Sequence, residues 1–216
     1  MADPRLFRLR VRFVERGRLA LLSHLEVARA LERTVRRAGL PFAVSQGFSP
    51  HMRIAFGAAL PVGVGSTCEL FDIFLTDYVA PARALEALQA AAVDDLRPYE
   101  CAYVDHSALA ASVACPLSTY EAHLSAVPQR LVLPEHITVV RKKKEKRLSV
   151  EEFLQGEPVV EPCEDGTARL TFRLLAKPTG SLRPDVLLNA ALGAMKDQAV
   201  LPADASFLSV TRIAQQ

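Results

Sequence analysis

Tryptophan is absent from this 216-residue chain, and aromatic residues make up only 6 % of it. Leucine, valine and alanine must therefore fill any core. Apolar residues reach 50 % of the chain, enough for one large domain or two small ones of about 100 residues each. No stretch approaches the roughly 18 uninterrupted apolar residues of a membrane span, so no membrane partner is expected. The opening Met-Ala-Asp-Pro-Arg-Leu-Phe-Arg alternates charge with hydrophobe and lacks the apolar run of a signal peptide. A cytoplasmic protein is expected.

Cysteines number four, Cys68, Cys101, Cys115 and Cys163, and none is close enough to another to form a CxxC pair. Neither a zinc site nor an iron–sulfur site is encoded, and no metal or cofactor is expected. Scattered cysteines in such a chain read as small buried hydrophobes rather than disulfides. The chain also lacks a nucleophile elbow, a Walker loop, an HExxH pair and a dinucleotide fingerprint.

Lysine is missing from the first 54 residues. Eleven arginines stand there against four acids, a surplus of seven in a chain whose net charge is only +2. Arginine suits planar, bidentate recognition of phosphate, so the surplus points to a nucleic-acid or phosphate partner. High arginine usage along the rest of the chain is the plainer explanation.

Arg8, Arg10 and Arg12 alternate with Leu9, Val11 and Phe13, a period of two that predicts a strand with one apolar and one arginine face. Ser23 and Glu26 form a capping-box pattern that opens a helix running to about Ala38 and stopping at Gly39. Leu25, Ala28, Leu31, Val35 and Ala38 are expected on its inner face. Arg29, Arg33 and Arg36 or Arg37 make a basic stripe, either a solvated face or one that tracks a phosphate backbone. A short strand is expected over 40–44, then a Gly/Pro-rich loop over 45–65, with another strand or an outgoing arm at 53–56. The clearest strand runs from Cys68 to Thr76. A helix over 81–92 and a closing strand over 96–104 complete the first half.

Residues 106–116 lose periodicity and read as a linker or irregular crossover. Beyond them come a strand at 119–124, a short helix near 134–139 and a basic run at 141–147 that reads as a solvated loop. A short amphipathic segment at 149–156 follows. A hairpin turns on Glu164-Asp165-Gly166, and the chain ends with a helix at 186–195 and a strand at 207–213. The fold class expected is α+β. It consists of two tandem ferredoxin-like (split βαβ, antiparallel-sheet) modules, at 1–106 and 117–216, the second more divergent.

The chemistry-bearing residues gather in the first half. His24 opens the helix, Gln46, Ser49, His51 and Arg53 lie in the loop, and Glu69 and Asp72 lie on the strand after it. His24 and His51 are candidate acid and base if the loop folds back over the helix start. Capping and loop-stabilising hydrogen bonds are the alternative. The anion-binding candidates are Arg8, Arg10, Arg12, Arg29, Arg33, Arg36, Gln46, Ser49, His51 and Arg53.

Three stretches resemble a known family. They are Leu22-Ser23-His24-Leu25 through Arg36-Arg37-Ala38-Gly39-Leu40-Pro41; Ser45-Gln46-Gly47-Phe48-Ser49-Pro50-His51-Met52-Arg53-Ile54; and Leu60-Pro61-Val62-Gly63 with Glu69-Leu70-Phe71-Asp72. They are similar to the bacterial radical-SAM-linked family, a domain of unknown function found fused to, or encoded beside, a cobalamin-binding radical-SAM protein. Gly180-Ser181-Leu182-Arg183-Pro184-Asp185 agrees more weakly. Ser49 and Met52 stand where the family pattern has Asn and Pro. Genes of this family commonly lie near an endoribonuclease of the E/G type and large-subunit ribosomal proteins. The resemblance therefore implies work on RNA maturation or modification, with RNA and a radical-SAM protein as partners. Three functions are expected in turn: an RNA-binding accessory protein, an RNA-processing or RNA-modifying enzyme using His24 and His51, or a protein–protein adaptor.

Overall fold

The computed structural model of the protein describes residues 6–141, 144–178 and 180–216. The fold is mixed α/β with mostly antiparallel sheet, and the described residues include three α-helices. The chain divides between Cys115 and Pro116 into two compact units.

The first unit begins with β1 (Phe7–Glu15), as the alternation requires. Leu9 and Val11 are fully buried and Phe13 is 3 % exposed. A short 3-10 turn (Gly17–Leu21) leads to α1 (His24–Arg37), which ends at Ala38 and the left-handed Gly39 (φ 65°). Glu26 Oε2 accepts from the Ser23 backbone N–H at 2.8 Å and from its hydroxyl at 2.7 Å. These two bonds hold the Glu26 carboxyl below its ordinary pKa. The inner face of α1 is Val27, Ala28, Leu31, Thr34 and Val35. Leu25, expected there, is 68 % exposed instead. The buried stripe is turned away from position 25, so the helix start stands clear of the core.

Then follow β2 (Ile54–Phe56), β3 (Val64–Leu75), α2 (Pro81–Ala91) and β4 (Pro98–Tyr103). No strand forms over 40–44. Phe42 and Val44 make only isolated bridges, to Leu75 and Met52. Phe42 donates its N–H back to the Leu40 carbonyl at 2.8 Å, a tight turn across Pro41 that takes this donor out of any ladder. The sheet order is β4-β1-β3 with β2 also paired to β3, every pair antiparallel. Leu31, Val35, Leu88, Phe71, Ile73 and Leu75 close the core between helices and sheet. Each such side chain contributes roughly 1.5–3 kcal/mol by leaving water.

Of the expected linker at 106–116, residues 106–115 are part of the first unit's body. They carry a 3-10 turn (Ala111–Val113), and Ala111 is 2 % exposed.

The second unit contains β5 (Leu117–Leu124), β6 (His136–Arg141), β7 (Lys144–Ser149), β8 (Val159–Pro162), β9 (Ala168–Leu175), α3 (Pro184–Asp197) and β10 (Phe207–Gln215). Its strand order is β10-β5-β9-β8, antiparallel throughout, with β6 and β7 as a separate pair. The helix expected at 134–139 is β6 instead. Ile137 and Val139 alternate with His136 and Thr138, and a β-branched run of period two is strand chemistry that outweighed the helix-start signal of Pro134. Of the basic run at 141–147, Arg141 ends β6 and residues 144–147 lie on β7 rather than in a loop. Lys142 and Lys143 lie outside the described residues, as do Thr179 of the turn at 178–185 and the first five residues of the chain.

Candidate functional site

The arginine face of β1 is mostly spent inside the protein. Asp72 of β3, fully buried, receives Arg8 Nε at 2.9 Å and Nη2 at 2.6 Å, both on Oδ2. Arg10 reaches Oδ1 through Nε at 2.7 Å and Oδ2 through Nη2 at 3.0 Å. Two cations on one carboxylate leave a surplus positive charge, and backbone dipoles answer it. Arg8 donates to the Ala108 carbonyl at 2.8 Å and the Leu109 carbonyl at 2.7 Å, and Arg10 to the Leu109 carbonyl at 3.1 Å. The Asp72 hydrogen bonds keep the Arg10 guanidinium above its already high pKa. Arg12 is different. Its Nε is 3.7 Å from Glu100, and both side chains meet water.

The stripe on α1 faces solvent. Arg29, Arg33, Arg36 and Arg37 are exposed, and none of them makes an ion pair among the described residues. Arg36 lies over the Phe42 ring, 5.0 Å from its centroid, and Arg37 donates to the Ala91 carbonyl at 2.7 Å.

The loop is a tied projection. Ser45 N–H donates to the His51 carbonyl at 2.8 Å, and His51 N–H donates back to the Ser45 hydroxyl at 3.0 Å. The bridge between Val44 and Met52 closes the stem below. Gly47 has φ 137°, a backbone state that glycine alone adopts without strain. Gln46, Ser49 and His51 are exposed. Arg53 on the returning arm lies 5.1 Å from the centroid of Phe74.

The two histidines do not form a pair. The His24 ring stands edge-on to Phe56, centroids 5.7 Å apart. No hydrogen bond or ring contact joins it to His51 among the described residues. Glu69 and Asp72 are buried, and Asp72 serves the arginines rather than either histidine. No group of three or more His, Cys, Asp or Glu side chains among the described residues is placed to hold a metal ion.

One family model covers most of this arrangement. A model for uncharacterized proteins conserved in bacteria, DUF2344, matches residues 8–184. The chain belongs to that family. No curated protein matches it. In this DUF2344 chain the matched span holds β1 from Arg8 onward, α1, the tied loop and the Asp72 cluster.

The DUF2344 match ends at the first residue of α3, after the turn Gly180–Arg183. That turn and β6–β7 line a groove of about 720 Å³ with Thr138, Lys146, Leu148, Ser181 and Leu182 on its walls. Arg183 turns back onto Asp185, 2.6 Å away. In the first unit, sequence reasoning passes over Phe48, at the tip of the tied loop with its side chain fully in water. Its neighbours Gly47 and Ser49-Pro50 were the available signal: nothing apolar beside it in sequence could share burial.

Proposed function

We propose that the protein is a cytoplasmic RNA-binding accessory to a radical-SAM enzyme in rRNA or tRNA modification or maturation. The observation that carries the reading is the outer face of α1. Arg29 and Arg33 stand one turn apart, exposed and without ion pairs among the described residues, and Arg36 and Arg37 extend the stripe. At 1.5 Å per residue, positions 29 to 36 span about 10 Å, a usable length for following phosphates. The tied loop adds hydrogen-bonding groups, and Arg12 adds a wet cation. Arg8 and Arg10 support the sheet from within rather than touch the ligand. The radical-SAM partner rests on the family resemblance of residues 22–72 and 180–185.

We read both units as ferredoxin-like modules. In support, β4-β1-β3-β2 and β10-β5-β9-β8 follow one order, each closed by a helix before its last strand. The β6–β7 hairpin occupies the place of the second unit's first helix.

The test is binding of the full chain to fluorescent rRNA and tRNA fragments between roughly 50 and 200 mM salt. Affinity should fall steeply and log-linearly. An absent or salt-indifferent shift would overturn the reading.

A second reading, the adaptor, is favoured by apolar exposure at the start of α1. Leu21, Leu25 and Val62 are 66 %, 68 % and 58 % exposed. The Gly63 N–H bond to the Ala20 carbonyl, 2.8 Å, brings the turn of Val62 against this region. Leu25→Glu should abolish co-purification with the radical-SAM partner while leaving RNA affinity intact if that surface docks it.

A further inference from the structure

Resting on the RNA-binding reading, we propose that Phe48 is a stacking platform for one unpaired base, so that the loop selects single-stranded over fully paired RNA. The first support is exposure. Phe48 is 110 % exposed, more open than in an extended reference peptide, while the other phenylalanines of the first unit are 39 % exposed or less. A free aromatic ring in water is unfavourable unless it meets a partner.

The second support is presentation. The reciprocal Ser45–His51 bonds of 2.8 and 3.0 Å and the Val44–Met52 bridge fix both ends of a seven-residue loop whose middle residue is Phe48. Gly47 at φ 137° bends the chain beside it. The ring is thus held out on a closed loop, which lowers the ordering cost of binding.

The third support is the company it keeps. Gln46, Ser49 and His51 are exposed around one isolated ring, an arrangement for stacking plus hydrogen bonds to a base edge. Docking onto a protein core would call for a wider apolar patch. The segments feeding the loop carry cations fixed on ring faces, Arg36 on Phe42 and Arg53 on Phe74. They supply charge for the phosphates that flank a splayed base. Duplexed RNA keeps its bases stacked on one another and has none to lend.

Because the chain has no tryptophan, Phe48→Trp installs a single optical reporter at the loop tip. The probes are a mixed-sequence single-stranded RNA of about ten nucleotides and the same strand fully paired with its complement. We expect the tryptophan to be quenched and shifted by the single strand and unaffected by the duplex. Phe48→Ala should weaken single-strand binding about 5- to 150-fold, with duplex affinity and salt slope unchanged. Phe48→Tyr should restore binding, and Phe48→Leu, apolar but without a π face, should not. The side chain touches nothing in the fold, so melting temperatures should match wild type. If RNA binds but Phe48→Ala binds it equally well, or the tryptophan stays silent, stacking is overturned and the RNA reading stands. If Phe48→Ala loses only a protein partner, stacking is likewise overturned. If wild type binds neither RNA, both fall.

Discussion

Arg8 and Asp72 meet between β1 and β3 as a two-pronged ion pair, with Nε at 2.9 Å and Nη2 at 2.6 Å from one carboxylate oxygen. Arg8 is 7 % exposed and Asp72 not at all. A buried pair of this kind is costly to break because one partner is left charged and dry. Asp72→Asn should cost about 3–5 kcal/mol. Arg12→Ala, which removes a wet pair 3.7 Å long, should cost under about 1 kcal/mol. Denaturant melts of the two variants check the contrast.

If α1 follows a phosphate backbone, its arginines act as counter-ions and not as readers of sequence. Arg29→Ala and Arg33→Ala should each flatten the salt dependence of RNA binding by about one unit of slope. Both should weaken all RNA sequences alike and leave the melting temperature near wild type. Binding isotherms at several salt concentrations separate this from a general loss of structure.

Ser45 ties the loop through its hydroxyl, which accepts the His51 N–H at 3.0 Å. Ser45→Ala should cost about 0.5–1.5 kcal/mol of loop order. The His51 amide should then exchange with solvent faster while core amides of β3 stay protected. Hydrogen exchange read residue by residue gives the answer.

Cys101 on β4 is a thiol that burial pushes up to about 12, with Glu100 beside it adding repulsion. It should resist alkylation at pH 8 in the folded chain and react once denaturant opens the first unit. The sign for stability follows: its contribution is whole below the unfolded thiol value near 9 and is lost as pH climbs toward 12. Cys101→Ala should remove that part of the alkaline loss. Alkaline melts of both proteins test it.

Local signals made much of the fold legible. The alternation Arg8 to Phe13 marked β1, Ser23 and Gly39 bounded α1, and Glu164-Asp165-Gly166 turned β8 into β9. What escaped were relations over distance. Arg8 and Asp72 are 64 residues apart, so the alternation along β1 does not reveal that Arg8 and Arg10 share a carboxylate on another strand. Leu25 fell on an apolar helical spacing, yet the helix buries Val27 and Leu31 in preference. His24 and His51 meet only if the loop folds back over the helix start, and the ring contact the His24 side chain makes is with Phe56. Composition does not reveal that the Phe48 ring lacks a neighbour.

The stretch that answers Arg8 and Arg10 does so with the carbonyls of Ala108 and Leu109. Any residue offers a carbonyl, so side-chain identity there is nearly free and only the path of the chain is fixed. This part of the molecule should therefore accept substitution readily and reject deletion. One residue fewer between Asp105 and Ala111 would pull the carbonyls off the guanidinium groups, whereas truncating the exposed Leu109 side chain to alanine would leave them in place. Plain spelling and strict length are, at this place, the same design.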